Sequence, residues 1–445
     1  MSQSNAETLR NAFKAHEDYA SKLELSQNDK ESPLYPMLPF DEIIKGPVAD
    51  PLLQILDELE FYQPSKIQSQ AIPILNDGDK KDLIAQAQSG SGKTVAFIVS
   101  MILHVNPEVK KPQSICLCHT RELSEQTFKV FESLNKYTKY TAGRCVKNVE
   151  DPSPDAQVIF GTAASFVFAI REKKIDPSEI KFLVVDEADT ILEKDGSHRG
   201  PTTMLIQKLL PKDCQLGMFS ATFPPDVIGF IHKLRPNIIS IRLKRSQQHV
   251  ATVSHWYTKV NDDNEGYEVV YDLTNLRAQG QTYIFVPSKN AVNSLTKYLT
   301  DKGLTCRAFS SDLEATERDA TLNAFRRDEF KVLITTDVLA RGIDIPTTYL
   351  VINYRLPQQF DQAKKRNVPS CDSYYHRAGR AGRFGRTGLC FNIIFASTRE
   401  EQTLKIFCDN LGIKPLNKIS KEELKTLPDE TEVPTEVAPA AEEAK

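Results

Sequence analysis

Residues 182–189 read F-L-V-V-D-E-A-D, an unbroken apolar run that ends on Asp186, Glu187 and, two positions on, Asp189. A run of that length bounded by charge predicts a strand buried on both faces, and hence a parallel sheet covered by helices. The carboxyl ends of such strands are where open α/β sheets gather their chemistry. Three carboxylates at one strand end call for a cation, while the plainer alternative has Asp186 capping the helix that follows.

A phosphate site upstream gives the cation a purpose. Asp82-Leu83-Ile84-Ala85-Gln86 reads as another strand, followed by A-Q-S-G-S-G-K-T (Ala87 to Thr94) and the helical run Val95 to His104. Strand, glycine loop and helix in this order form a P-loop, with Ala87 where the usual pattern has its first glycine. Gly90 and Gly92, flanked by Ser89 and Ser91, let backbone amides converge on phosphate oxygens. Lys93 is placed to reach the β and γ phosphates, and the Thr94 hydroxyl can ligate Mg²⁺. Asp186 then reads as the acid that holds the metal.

Composition sets the frame. With 445 residues, 40% hydrophobic and 26% charged, the chain has room for two or three domains with substantial cores. A net charge of −3 gives no global signature of nucleic-acid binding, so any basic surface must be local. The eight cysteines are scattered without a C-x-x-C pair, and no amino-terminal signal segment is evident. Reduced core thiols in a cytosolic or nuclear protein are expected, without membrane insertion.

Strand-like runs at 82–86, 114–118, 157–161, 181–185 and 214–219 alternate with helical stretches. A second series follows the basic segment Arg242 to Gln248, at 253–259, 282–286, 305–309, 331–335, 349–353 and 389–395. The expected organisation is therefore two similar α/β domains, 37–245 and 246–426, joined by a short linker. Residues 1–36 carry Leu9, Phe13, Ala20 and Leu23 at roughly helical spacing, which predicts a docking helix. The tail 427–445, rich in Pro, Glu and Ala without an aromatic, is expected to be disordered.

The second domain has its own charged string, Y-Y-H-R-A-G-R-A-G-R-F-G from Tyr374 to Gly385, with Arg377, Arg380 and Arg383 three apart and no acid between them. Such a run can be a solvated basic face. Beside a P-loop it also reads as arginine fingers, guanidinium groups that stabilise charge on a transferring phosphoryl group and raise rates by roughly 10³–10⁵.

Together A-Q-S-G-S-G-K-T, D-E-A-D, S-A-T (Ser220 to Thr222), T-T-D-V-L-A-R-G-I-D (Thr335 to Asp344) and H-R-A-G-R-A-G-R (His376 to Arg383) resemble the DEAD-box RNA helicases, with the strings in family order. The resemblance implies an ATP hydrolase of two RecA-like domains that uses ATP and Mg²⁺ on single-stranded RNA, and works as a monomer. P-S-K-I-Q, I-D-P-S-E-I-K, V-L-A-R-G-I-D-I-P-T and the insert Gln358 to Ser373 look more like the mRNA-export branch that acts at the nuclear pore. The phosphate loop resembles the translation-initiation branch as closely, and an ATP-gated RNA clamp with slow turnover is a further alternative. The export branch would imply nuclear pore proteins and an inositol-phosphate-dependent activator as partners, a place in cytoplasm and nucleus at the cytoplasmic face of the pore, and an amino-terminal helix that restrains ATPase activity.

Residue by residue, the resemblance gives Gln68 the adenine edge and Phe40 the stack upon it. Glu187 polarises the attacking water, and Arg380 and Arg383 complete the γ-phosphate site. Gly342 belongs to the nucleotide site and Asp344 meets the ribose. Asp189, Ser220, Thr222 and His376 couple ATP to RNA, whose contacts fall to Arg121, Glu122, Thr162, Arg318, Thr335 and Arg341. Departures from the family pattern cluster on the RNA side: His119 replaces a proline, Thr162-Ala163-Ala164-Ser165 replaces a T-P-G segment, and Glu60 replaces the glycine before Phe61.

Overall fold

A computed structural model describes residues 25–26, 38–87, 90–147, 149, 151–193, 196–243, 253–276, 280–337, 348–361, 365–382, 388–413 and 416–427. The docking helix expected in 1–36, the linker near 245 and most of the acidic tail lie outside them. Two compact units divide the chain.

The first unit is built on an eight-stranded sheet: β1 (Leu25–Ser26), β2 (Leu83–Gln86), β3 (Ser114–Leu117), β4 (Ala142–Cys145), β5 (Val158–Gly161), β6 (Phe182–Asp186), β7 (Gln215–Ser220) and β8 (Ile239–Leu243). The order is β1-β8-β2-β7-β6-β3-β5-β4, parallel throughout except for β1. The apolar run at 182–185 is continuous because both faces of β6 are covered. Phe182 and Val184 enter one core with Leu83, Ala85 and Phe97, while Leu183 and Val185 enter another with Ile84, Ile115 and Met218. Each of these side chains larger than Ala85, fully buried, contributes about 1.5–3 kcal/mol. Arg242 and Leu243, which open the basic segment, end β8, whose Ile239 to Ile241 pair in register with Leu83 to Ala85.

The second unit carries β9 (Val253–Val260), β10 (Gln281–Phe285), β11 (Cys306–Phe309), β12 (Val332–Thr335), β13 (Thr348–Asn353), β16 (Gly388–Phe395) and β17 (Leu416–Lys418) in the order β11-β12-β10-β13-β16-β9-β17, all parallel. The insert after Leu356 forms an antiparallel hairpin of β14 (Gln358–Asp361) and β15 (Arg366–Pro369). Ser370 then caps the helix Cys371–Ala378, its Oγ accepting the Ser373 amide at 3.3 Å. Among the cysteines, six are buried and all are free thiols.

Candidate active site

The sheet order places β2, β7 and β6 side by side, so the segments that leave their carboxyl ends are neighbours. These are the P-loop, S-A-T and D-E-A-D. Strand β3 and then β5 follow beyond β6, and their carboxyl ends carry His119-Thr120-Arg121 and Thr162.

Two positive-φ glycines shape the P-loop, Gly90 at +80° and Gly92 at +92°. A Cβ on Gly92 would lie 2.5 Å from Gln68 Nε2 and 3.0 Å from Ser65 Oγ, so only glycine fits there. Ser91 is buried, and its hydroxyl has no hydrogen-bond partner among the described residues. Lys93 opens the helix Lys93–Leu103, and its Nζ donates to the carbonyl of Ala87 at 2.6 Å, so the ammonium is folded over the loop. Thr94, next in that helix, is half-buried.

Gln68 belongs to a capping box. Its Oε1 accepts the Ser65 amide at 2.8 Å while Ser65 Oγ accepts the Gln68 amide at 3.4 Å, which starts the helix Lys66–Leu75. The remaining Nε2 donates to Gly92 O at 3.2 Å, tying this helix to the P-loop. Phe40 is packed in the first core at 4% exposure. Ser89 lies outside the described residues.

At the end of β6, Asp186 is buried, and its Oδ1 accepts the amide of Glu187 at 3.0 Å. Burial, with the neighbouring Glu187 adding to it, pushes the Asp186 carboxyl up to about 7 against the pull of Lys93. Asp186 is not the helix cap that the plainer reading of the sequence allowed: the N-cap of the helix Ala188–Ile191 is Glu187, in the left-handed region at φ 51°, ψ 51°. A non-glycine residue held there stores backbone strain, of order 1–3 kcal/mol at such sites. Asp189 faces β7, where its Oδ1 accepts Ser220 Oγ at 2.7 Å and its Oδ2 accepts Thr222 Oγ1 at 2.6 Å. D-E-A-D and S-A-T are thereby clasped within one sheet.

On the adjacent strand ends, Thr120 caps the helix Arg121–Leu134 by accepting the Leu123 amide at 3.2 Å. Arg121 is half-buried and Glu122 buried. Thr162 precedes the helix Ala163–Arg171, and its hydroxyl pairs with Ser165 Oγ at 3.0 Å, a local contact that the atypical Thr162-Ala163-Ala164-Ser165 supplies for itself. Glu60, in place of the family glycine, has φ +63°.

In the second unit His376 and Arg380 are buried, and Arg380 Nε donates to His376 O at 3.2 Å. Arg318 is half-buried in the helix Ala315–Arg326. The structure corrects two expectations here. Arg377, read as one of three arginine fingers, is a buried structural arginine that pairs with Asp337 and donates through Nη1 to Asn353 Oδ1 at 3.2 Å and Arg355 O at 2.9 Å. Thr335, expected to touch RNA, is completely buried in β12 with its hydroxyl on Thr336 O at 3.1 Å. Every position of β12 is buried, and the half-exposed threonine is the next one, Thr336, just past the strand end. Arg341, Gly342, Asp344 and Arg383 lie outside the described residues. No signal in the sequence marked the role of Arg377, because its acid is 40 residues upstream.

The site is a glycine-shaped P-loop with a buried acid, a strained glutamate and a hydrogen-bonded clasp between D-E-A-D and S-A-T. Comparison with known proteins gives the same class. The family profile for DEAD/DEAH box helicase matches residues 65–229, and that for the helicase conserved C-terminal domain matches 265–385. The chain belongs to the DEAD-box RNA helicase family and is an ATP hydrolase of that family, an ATP-dependent RNA helicase. Within the family it is similar to Dbp5 proteins: it is 38% identical to the ATP-dependent RNA helicase DBP5 of Lodderomyces elongisporus over 88% of this chain and 75% of that one. Among solved structures it resembles Saccharomyces cerevisiae Dbp5 bound to RNA and ADP BeF3, with TM-score 0.81 and 34% identity over 87% of this chain and 97% of that one. It also resembles a variant of the same protein bound to Nup159, Gle1, IP6 and ADP, with TM-score 0.60 and 32% identity over 84% and 97%. The two tandem RecA-like domains implied by the sequence resemblance are the fold of these relatives. No helix among the described residues is long and apolar enough to cross a membrane.

Proposed function

We propose that this helicase couples ATP hydrolysis to remodelling of messenger RNA–protein particles during export at the nuclear pore, on the cytoplasmic face. The observation that carries the chemistry is the convergence of Lys93, Asp186 and Glu187 beyond the strand ends on either side of β7, with Asp189 clasping Ser220 and Thr222. The export reading is supported by Dbp5 of S. cerevisiae, which the solved structures hold with RNA and with Nup159, Gle1 and IP6. Counterparts of those partners are proposed for this chain.

The Ala87 carbonyl that holds Lys93 is neutral, so an arriving phosphate offers the ammonium a stronger, charge-assisted partner. Gln68 sits against the loop for the adenine edge, on which Phe40, packed in the first core, would stack. The donor set fits Mg²⁺: a hydroxyl at Thr94 and a carboxyl at Asp186, both hard oxygen ligands. The cation would be held by Thr94 and Asp186 and would neutralise charge on the phosphates. Glu187 orients the attacking water, and Arg380 and Arg383 offset charge that develops on the γ-phosphate. Arg121, Glu122, Thr162, Arg318, Arg341 and Thr336 are proposed for RNA; contacts from such residues reach phosphates and 2′-hydroxyls, which makes binding sequence-independent and salt-sensitive.

The test is ATP turnover with and without poly-uridine RNA in the wild type and Glu187→Gln. RNA should stimulate the wild type, and the variant should lose about 10²-fold or more, the scale of a lost acid–base group. No stimulation, with the variant equal to wild type, would leave the ATP-gated clamp as the function.

A further inference from the structure

We infer that Gln86 is a positioning residue that fixes S-A-T against the phosphate loop and so carries nucleotide occupancy toward the RNA side. The inference rests on the RNA-stimulated ATPase reading. Strand β7 lies between β2 and β6, and the ladder of β2 and β7 ends at the pair Gln86 and Ser220. Past that pair, the Ala87 amide donates to Ser220 O at 3.1 Å and Gln86 Nε2 donates to Ala221 O at 3.2 Å. On the opposite flank Asp189 takes the hydroxyls of Ser220 and Thr222. S-A-T is therefore held by its side chains from β6 and by its carbonyls from β2.

Only the Asp189 side of this grip follows from the named motifs. On the β2 side, Leu83 and Ala85 enter one core and Ile84 the other, so the pleat turns Gln86 the way of Ile84, toward apolar residues. A leucine or methionine would satisfy packing at that position. Instead an amide stands there, 3% exposed, and meets a carbonyl on a residue that is 2% exposed. A polar side chain at an apolar position is where local rules yield to function.

The Ala87 residue makes the connection directional. Its carbonyl holds Lys93 and its amide holds Ser220. Nucleotide that draws Lys93 away from Ala87 acts on the same short stretch that grips S-A-T, and Gln86 keeps the two segments moving as one.

The experiment measures steady-state ATPase of the full chain against ATP and poly-uridine concentration for wild type, Gln86→Met and Gln86→Glu. Gln86→Met keeps volume but has no donor. It should leave the KM for ATP within about twofold while the factor by which RNA raises kcat falls about tenfold, the loss expected of about 1.4 kcal/mol of coupling. Gln86→Glu is isosteric and can donate to Ala221 O only when protonated, so its RNA stimulation should decline from pH 6 to 8.5 relative to wild type. Unchanged stimulation in both variants, or a loss confined to the KM for ATP, overturns the assignment. If Gln86→Met does not fold, the pH profile of Gln86→Glu decides alone. A wild type that RNA does not stimulate would remove the underlying reading instead.

Discussion

Arg377 and Asp337 form a two-pronged ion pair in the second unit, Nε to Oδ1 at 2.5 Å and Nη2 to Oδ2 at 2.9 Å. The pair fastens the T-T-D segment after β12 to the helix that carries His376. The guanidinium is almost fully buried, also bonds Asn353 and Arg355, and lies over the Phe285 ring with 5.0 Å to the centroid, whereas the carboxylate is 41% exposed. Arg377→Met strands one buried and one half-buried acceptor and should cost about 2–4 kcal/mol of unfolding free energy. Asp337→Asn, on the wetter side, should cost about 1 kcal/mol. Urea denaturation measures both, and equal losses would contradict this division.

Gly92→Ala should abolish tight nucleotide binding. The left-handed backbone alone costs an added Cβ about 1–2 kcal/mol, and that Cβ meets Gln68 Nε2 at 2.5 Å. Fluorescent-nucleotide titration should show affinity falling at least tenfold, the equivalent of about 1.4 kcal/mol. Affinity equal to wild type would mean that the loop tolerates a different shape.

At position 60 the opposite change is expected to help. Glu60 sits at φ +63°, so Glu60→Gly should raise stability by about 0.5–1 kcal/mol as the strain is relieved. A lower urea midpoint in the variant would show that the contacts of the Glu60 side chain outweigh its backbone.

Asp186 makes stability depend on pH. Its folded-state value, about 7, lies above the unfolded value of about 4. Between these limits the folded chain keeps a proton that the unfolded chain has released, so stability is lost as pH rises through that window and levels off above it. Asp186→Asn removes the loss, and the metal-free variant should gain more melting temperature over wild type at pH 8 than at pH 5. An equal gain at both values would place the titration elsewhere. Mg²⁺ should narrow the difference, since the proposed cation would take the place of the proton in the wild type.

The central strands of both sheets are legible in the sequence because coverage on two faces makes them mostly apolar: β6 is Phe-Leu-Val-Val before its acid, and β10, β13 and β16 are apolar runs with few polar residues, among them the buried Thr282, Asn353 and Asn392. Strand β4 is not, since Ala142-Gly143-Arg144-Cys145 lies at the sheet edge and only its cysteine is buried. Strand β8 was obscured by the basic residues that follow it directly. The P-loop, Asp186, Glu187 and Asp189 could be named from local strings, because each string is one strand end with its turn. Arg377 with Asp337 and Gln86 with Ala221 could not, as each joins segments far apart in the chain. Thr335 is buried because it is the last residue of a strand covered on both faces, and two consecutive threonines give no cue to where that cover ends.

The left-handed backbone of Glu187 bears on how this enzyme would respond to selection. Replacement by glycine would release the strain at φ 51° and also remove a negative charge that burdens Asp186. Both effects favour a sturdier fold, and the product would lack the carboxylate proposed to orient the attacking water. A library sorted by thermal resistance alone would therefore enrich inactive chains at this position, so heat tolerance and turnover must be improved by separate screens.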